Sequence, residues 1–198
     1  MSADAPAASP GAETARVFFA LWPPPEVARR LAGIAREQAA RHGGKAARAD
    51  TVHLTLAFIG DVAVSRLPEL VAAAERVKGS SFALALGTCG YWTHNRLAWA
   101  GCDEVPAALA QLVRQLAQSL RHAGFRVDRA SDDFVPHLTL VRRQTDAALA
   151  PPIEPAIAWP CDAFVLVRSR LSAAGSCYEK LHSFPLDPEP DNPQEAFP

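Results

Sequence analysis

The sequence lacks the features that mark several common classes of protein. Its four cysteines, at positions 89, 102, 161 and 177, form no CxxC pair and no cluster with histidines at zinc-finger spacing. We therefore predict buried, reduced thiols of the kind found in cytoplasmic proteins. Residues 1–14 contain no apolar core, so we predict neither a signal peptide nor a membrane span there. We expect a cytoplasmic protein with no membrane partner.

Charge of one sign is not in excess, because 20 basic residues are balanced by 21 acidic residues and the net charge is −1. This balance argues against a large non-specific surface for nucleic acid, although it leaves room for a local basic pocket. The phosphate-binding loop, the dinucleotide fingerprint and the GxSxG elbow of serine hydrolases are also absent. We expect any phosphate recognition to be confined to a small site, and we expect no cofactor.

Length and composition describe an ordinary globular protein. The chain has 198 residues, of which 49% are hydrophobic and 21% charged, which is enough for one domain with a substantial core. We place that domain at residues 15–187 and expect a monomer. Residues 1–14 are rich in Ala, Pro and Ser, and residues 188–198 are rich in Pro and acidic side chains, so we predict that both tails are disordered.

Hydrophobic periodicity predicts strands and helices in a mixed order. Residues 16–22 form a dense apolar run typical of a central strand, and Pro23 to Pro25 can open the helix that stops at Gly43 and Gly44. Further helices are predicted from about Leu67 to Gly79 and from Pro106 to Gly124. The remaining predictions are strands at 82–86 and 96–100, a loop at 91–95, and a closing hairpin formed by 163–170 and 178–184 with a turn around 172–175.

The tetrapeptide His-Leu-Thr-Leu occurs twice, at residues 53–56 and 137–140. Both copies lie in runs typical of strands, at residues 51–59 and 134–141. We predict that Gly60-Asp61 ends the first of these strands. Because alternate side chains of a strand point to the same face, each copy directs a His and a Thr one way and its leucines the other. We therefore predict that the leucines face the core and that His53, Thr55, His137 and Thr139 face a polar cleft.

The two motifs occupy equivalent places in an approximate repeat. In each half a strand is followed by a proline-opened helix and then by the motif, with 29 positions from Pro24 to His53 and 31 from Pro106 to His137. This near-equal spacing indicates an internal duplication that brings the two motifs together.

A pair of histidines suits a reaction that removes one proton and delivers another near neutral pH. Hydrolysis of a cyclic phosphodiester is such a reaction, and the Thr hydroxyls could bind the non-bridging phosphate oxygens. The arrangement needs no metal. A dinuclear metal site would require carboxylates near the motifs. A zinc site would require a third ligand that the sequence does not identify. A Ser-His-Asp hydrolase would require the GxSxG motif, which the sequence lacks.

The paired motifs resemble those of the two-histidine phosphoesterase superfamily, in particular its RNA 2',3'-cyclic phosphodiesterase branch, historically called 2'-5' RNA ligase. The similar segments are RVFFAL at 16–21, HLTLAFIG at 53–60, PHLTLVR at 136–142, YEKL at 178–181 and FPL at 184–186. The resemblance implies an α+β, bilobal fold with pseudo-two-fold related lobes, each with an antiparallel sheet and flanking helices, and an active site in the central cleft.

The same resemblance implies roles for individual residues. It makes His53 the proton donor, His137 the proton acceptor, and Thr55 and Thr139 phosphate ligands. Arg142 becomes a candidate ligand of the same phosphate, although strict alternation would place its side chain on the face of Leu140. That contact therefore requires the strand to twist or end by Val141.

The implied activity is metal-independent hydrolysis of RNA 2',3'-cyclic phosphate ends to 2'-phosphomonoesters. The expected partner is RNA with such an end, such as tRNA halves or short oligonucleotides. Three alternatives stay open: a phosphodiesterase for a small cyclic nucleotide, a reversible 2'-5' RNA ligase, and a non-catalytic module that binds RNA ends. Among the aromatic residues, Trp92 is the best candidate for stacking on a base.

Overall fold

The structure is a computed structural model and describes residues 13–127, 134–172 and 175–188. These residues form an α+β fold. Three helices are described, α1 (Pro25–His42), α2 (Leu67–Glu75) and α3 (Ala107–His122), with a 3-10 turn at Val64–Arg66 before α2. The strands of the described ranges are β1 (Thr14–Leu21), β2 (Lys45–Ala46), β3 (Leu54–Ala63), β4 (Phe82–Leu86), β5 (Thr88–Trp92), β6 (Leu97–Gly101), β7 (His137–Arg142), β8 (Ile157–Cys161), β9 (Ala163–Ser172) and β10 (Gly175–Pro185).

Eight of the described strands form one antiparallel sheet. Its order is β10-β9-β1-β3-β7-β6-β5, and the short β2 pairs with β7 beside β3. Strands β4 and β8 form a separate two-stranded sheet. The α+β class and the antiparallel pairing agree with the expectation from sequence. The division into two lobes stays a prediction. In the described residues both halves contribute strands to one continuous sheet, in which β3 of the first half pairs with β7 of the second.

The junction between the halves is the pair Leu54 and Leu138, which lie opposite each other on β3 and β7. An antiparallel pair has a local two-fold axis through such a residue pair, perpendicular to the sheet. This axis relates β1 to β6 and the first His-Leu-Thr-Leu motif to the second. The helices follow the same relation across the junction, since α1 packs against β7 and α3 packs against β3.

The main core lies between the large sheet and the helices. Strands contribute Phe19, Leu21, Leu54 and Leu138, all with no exposed surface. The helices present apolar faces to them, as their spacing predicts, through side chains that include Leu31 on α1 and Leu112 on α3. The opposite face of the sheet carries a smaller apolar cluster of Phe18, Ala20, Val165 and Val167, with Trp22, Phe58 and Tyr178 packed against it.

Several element boundaries differ from the predictions. The first motif strand begins at Leu54 and continues to Ala63, beyond the predicted stop at Gly60-Asp61, because Gly60 pairs with Val17 within the sheet. The second begins at His137 instead of residue 134, after Pro136, which has no N–H to donate to a sheet. Thr14, assigned to the disordered tail, begins β1 and pairs with Ala63.

The predicted loop at 91–95 is wrong in its first part. Tyr91 and Trp92 belong to β5 and pair with Ala98 and Leu97 on β6, so the turn comprises only residues 93–96. Arg96, predicted to begin the returning strand, has φ of 53° and lies in this turn. Helix α2 ends at Glu75, before the predicted Lys78-Gly79 boundary, and strand β8 was not predicted.

The closing hairpin was predicted correctly, since β9 pairs with β10 along their length. Its turn at 173–174 lies outside the described residues, as does most of both tails. The cysteines are free thiols, but only Cys161 is buried, and Cys177 is exposed because it lies on edge strand β10. Within the described ranges, no helix combines the length and apolar character needed to cross a membrane.

Candidate active site

The two motifs meet at the junction of the sheet. Continuing the register of the Leu54–Leu138 pair by one residue each way sets His53 opposite Thr139 and Thr55 opposite His137. Leu54 and Leu138 are fully buried, whereas the four polar side chains are partly exposed, so the predicted division of faces is confirmed. Directly opposite Cβ atoms in an antiparallel pair are about 4.5–5.5 Å apart and diagonal neighbours about 7–8 Å apart. The two imidazoles are therefore diagonal neighbours on one face.

Each imidazole is held in the same way. Nδ1 of His53 donates a hydrogen bond to the carbonyl of Thr51 at 2.8 Å, and Nδ1 of His137 donates to the carbonyl of Val135 at 2.8 Å. Because a carbonyl only accepts, these bonds fix the proton on Nδ1 in the neutral ring. In both rings Nε2 is therefore the atom that gains or loses a proton.

Aromatic rings surround His53. Trp22 stacks on it with centroids 5.5 Å apart and planes 7° apart, while Phe18 lies 4.8 Å away and Tyr178 meets it edge-on at 5.0 Å. Burial among these rings lowers the pKa of His53 from 6.5 to about 4. The Thr51 carbonyl raises this pKa, and the positive charges of Arg142 and His137 lower it further. The influence of His137 on His53 agrees with their diagonal placement.

His137 has a different neighbour. Trp92, which lies on β5, meets its ring edge-on with centroids 4.4 Å apart. Directly opposite His137 on β6 is Gly101, and the ring of Trp99 covers the space where a side chain at Gly101 or Gly90 would lie. A Cβ atom at Gly90 would approach the Trp99 ring to 2.0 Å. The second half of the site therefore carries a Trp92–Trp99 pair, with centroids 5.5 Å apart.

A β-bulge brings Arg142 to the same face. Thr139 pairs with Trp99 and Val141 with Ala98, so Leu140 has no partner on β6. Both Leu140 and Val141 are buried, and the alternation resumes one residue later. Strict alternation would place Arg142 on the face of Leu140, and this bulge provides the departure from alternation that its predicted place in the site requires. The first motif has an equivalent bulge at Leu56 against β1.

A pocket of about 270 Å³ adjoins His53. Its lining includes His53, Thr139, Arg142 and Tyr178, and the remaining lining residues are Lys45, Ala46, Ala47, Arg48, Thr51, Arg143 and Ser176. Among the described residues no acidic side chain lines this pocket, which makes it a basic cavity in a protein of net charge −1. Thr55 and His137 lie beside it on the same face without lining it.

Residues 23–172 match the family model of the 2'-5' RNA ligase superfamily. The chain belongs to this superfamily. It is 31% identical over 177 residues to the RNA 2',3'-cyclic phosphodiesterase of Escherichia coli, covering 88% of this chain and 98% of the relative. It is 30% identical over 195 residues to the protein of the same name from Thermus thermophilus, covering 92% of this chain and 96% of that relative.

A solved structure is similar over the same extent. The crystal structure of E. coli LigT complexed with 3'-AMP matches with a TM-score of 0.77 at 30% identity, covering 88% of this chain and 99% of that chain. This superfamily member thus shares both sequence and fold with its relatives across most of its length.

The residues predicted for the superfamily site come together on one face of the sheet, and several neighbours were missed. Tyr178 and Trp22 are not among the site residues predicted from the sequence, yet both contact His53. Lys45 and Arg48, in the loop between α1 and β3, were not predicted as site residues either, yet both line the pocket. The cross-strand pairing of β2 with β7 brings that loop to the site, with a further backbone hydrogen bond from the N–H of Ala47 to the carbonyl of Leu140 at 2.7 Å. Among the described residues, no group of three His, Cys, Asp or Glu side chains could hold a metal ion.

Proposed function

We propose that the protein hydrolyses RNA 2',3'-cyclic phosphate ends to 2'-phosphomonoesters by two-histidine acid–base catalysis. The observation that carries this proposal is the diagonal pair of imidazoles at the Leu54–Leu138 junction, each with Nδ1 tied to a backbone carbonyl. The names of the E. coli and T. thermophilus relatives support the substrate.

In the proposed reaction His137 acts as the base. Its Nε2 takes a proton from water as the water oxygen forms a bond to phosphorus. The bond from phosphorus to the ribose O3' breaks on the opposite side, and Nε2 of His53 delivers a proton to that oxygen. The phosphate stays on O2', and each histidine ends in the protonation state from which the other began.

The acid role of His53 requires the substrate to change its protonation. With a pKa of about 4, this ring is neutral at physiological pH in the unliganded site. A cyclic phosphodiester carries a negative charge, and an opposite charge next to an imidazole favours the protonated ring. Bound substrate therefore raises the pKa of His53 and allows the ring to carry the proton that it delivers.

Three other side chains are proposed to bind the phosphate. The hydroxyls of Thr55 and Thr139 lie opposite the two histidines and can donate hydrogen bonds to the non-bridging oxygens. Arg142, turned to this face by the bulge at Leu140, lines the pocket beside Thr139 and adds a charge-assisted donor. These three groups stabilise the negative charge that grows on phosphorus oxygens in the transition state.

The direct test is to incubate purified protein with an RNA ending in a 2',3'-cyclic phosphate and to identify the hydroxyl that keeps the phosphate. The proposal predicts a 2'-phosphate, with turnover unaffected by a chelator. A 3'-phosphate product, or loss of activity on chelation that returns with a divalent metal, would contradict it. Binding of the cyclic end without conversion would instead support a non-catalytic binding module.

A further inference from the structure

The pocket next to His53 contains more positive charge than one phosphate requires. Lys45 lies directly opposite Arg142 across the β2–β7 pair, and both side chains line the pocket together with Arg143. Like charges placed directly opposite each other in a sheet are destabilising. Since the described lining of the pocket includes no acidic residue, an anionic ligand is the group that would offset this repulsion.

Arg48 also lines the pocket, but its charge is already neutralised. Its guanidinium donates to both carboxylate oxygens of Asp50 at 2.9 Å, a bidentate pair. Lys45 and Arg143 are both exposed; Lys45 lies opposite Arg142 across the β2–β7 pair, and Arg143 directly follows Arg142 in the chain. They are the cations of the described lining that are available for a ligand other than the reacting phosphate.

The backbone supports Arg143 in an uncommon conformation. Its φ of 56° lies in the left-handed region, which costs energy for a residue with a side chain. The next residue, Gln144, is fully buried and fixes this turn. Its backbone N–H donates to the carbonyl of Arg96 at 3.0 Å. Its side-chain oxygen accepts from Gln38, and its side-chain nitrogen donates to the carbonyls of Asp146 and Ala148. The fold thus maintains a strained turn that keeps Arg143 at the pocket.

We propose that Lys45 and Arg143 form a second phosphate subsite, which binds the phosphate on O5' of the nucleotide whose cyclic phosphate reacts. This inference rests on the proposed function and names its substrate more closely. The reacting phosphate lies at His53, Thr139 and Arg142, and the next phosphate along an RNA chain is attached to the same ribose through O5'. The preferred substrate is therefore an oligonucleotide end or a 5'-phosphorylated nucleotide, not an unphosphorylated nucleoside cyclic phosphate.

Two substrates that differ by one phosphate test the subsite. Adenosine 2',3'-cyclic phosphate and its 5'-phosphorylated form have the same base, ribose and reacting group. Because a charge-assisted hydrogen bond is worth about 1.5–3 kcal/mol, we expect the wild type to favour the 5'-phosphorylated substrate by about tenfold or more in kcat/KM. In the double variant Lys45→Gln/Arg143→Gln this ratio should fall to near one.

The matched control removes two charges elsewhere. Arg29 and Arg36 are exposed on helix α1 and do not line the pocket, so Arg29→Gln/Arg36→Gln has the same net charge as the test variant. The control should keep the wild-type ratio. A wild-type ratio near one, or a ratio unchanged by Lys45→Gln/Arg143→Gln, would overturn the subsite.

A binding measurement separates the subsite from the proposed reaction. Calorimetric titration compares adenosine 2'-phosphate with adenosine 2',5'-bisphosphate and needs no turnover. Tighter binding of the bisphosphate, lost in Lys45→Gln/Arg143→Gln, supports the subsite even if cyclic phosphates are not hydrolysed. Equal binding of the two nucleotides by the wild type would overturn it even if hydrolysis is observed.

Discussion

Trp22 stacks on His53, whereas the position that the two-fold axis relates to Trp22 is Gly101, opposite His137. The relation follows from the register, because Leu21 pairs with Leu54 and Ala100 pairs with Leu138. The backbone of the site is thus nearly symmetric, but one imidazole is covered by an indole and the other is not covered from the same position. Burial of His53 among its aromatic neighbours, Trp22 included, lowers its pKa to about 4 from the ordinary value of 6.5.

Replacing Trp22 tests the cause of this difference. In Trp22→Ala, water reaches the face of His53 that the indole covers, so we expect the pKa of His53 to rise from about 4 toward its ordinary value of 6.5. Titration of the His53 ring proton by nuclear magnetic resonance measures the change. Trp92→Ala is the matched control, because Trp92 contacts His137 instead. An unchanged pKa in Trp22→Ala would show that stacking on Trp22 is not what lowers it.

The same low pKa makes folding stability depend on pH. Between pH 6.5 and 4 the unfolded chain protonates His53 while the folded protein does not, so this histidine costs stability as the pH falls. From the pKa difference we expect a loss of roughly 2–3 kcal/mol across this range. His53→Gln cannot titrate there, so its stability relative to wild type should rise by that amount between about pH 7 and pH 4.5. Urea unfolding at both pH values checks this, and a constant difference would contradict it.

The hydroxyl of Thr139 is expected to act on the phosphate and not through packing. Thr139→Val keeps the shape of the side chain but removes the donor, which should lower kcat/KM by about 10- to 100-fold. Thr139→Ser keeps the donor and should retain most of the activity. Near-wild-type activity in Thr139→Val together with a loss of activity in Thr139→Ser would instead make the methyl group, and not the hydroxyl, responsible. Thr55→Val, at the two-fold related position, should reproduce the effect of Thr139→Val.

The central part of the site could be predicted from the sequence because it depends on local alternation. The period of two in each motif, with buried leucines between partly exposed His and Thr, is maintained by strands β3 and β7. The position of Arg142 could not be predicted in this way. A bulge is defined by the partner strand, and the sequence does not reveal that Leu140 lacks a partner on β6.

The surroundings of the histidines depend on pairing between distant segments. Trp22 reaches His53 through the β1–β3 pair, and Tyr178 reaches it from β10, at the edge of the sheet. Lys45 reaches Arg142 through a strand of only two residues. Composition and periodicity describe each segment alone, so they cannot assign such contacts.

Single-turnover hydrolysis of an RNA 2',3'-cyclic phosphate by His53→Ala, His137→Ala and the double variant tests the central claim most directly. The proposed mechanism has each histidine transfer a proton in the same step, so each single variant should lose about 100- to 10,000-fold in rate with an unchanged circular dichroism spectrum. The double variant should lose far less than the product of the two single losses. A folded single variant with near-wild-type turnover would contradict the claim that these two imidazoles act together.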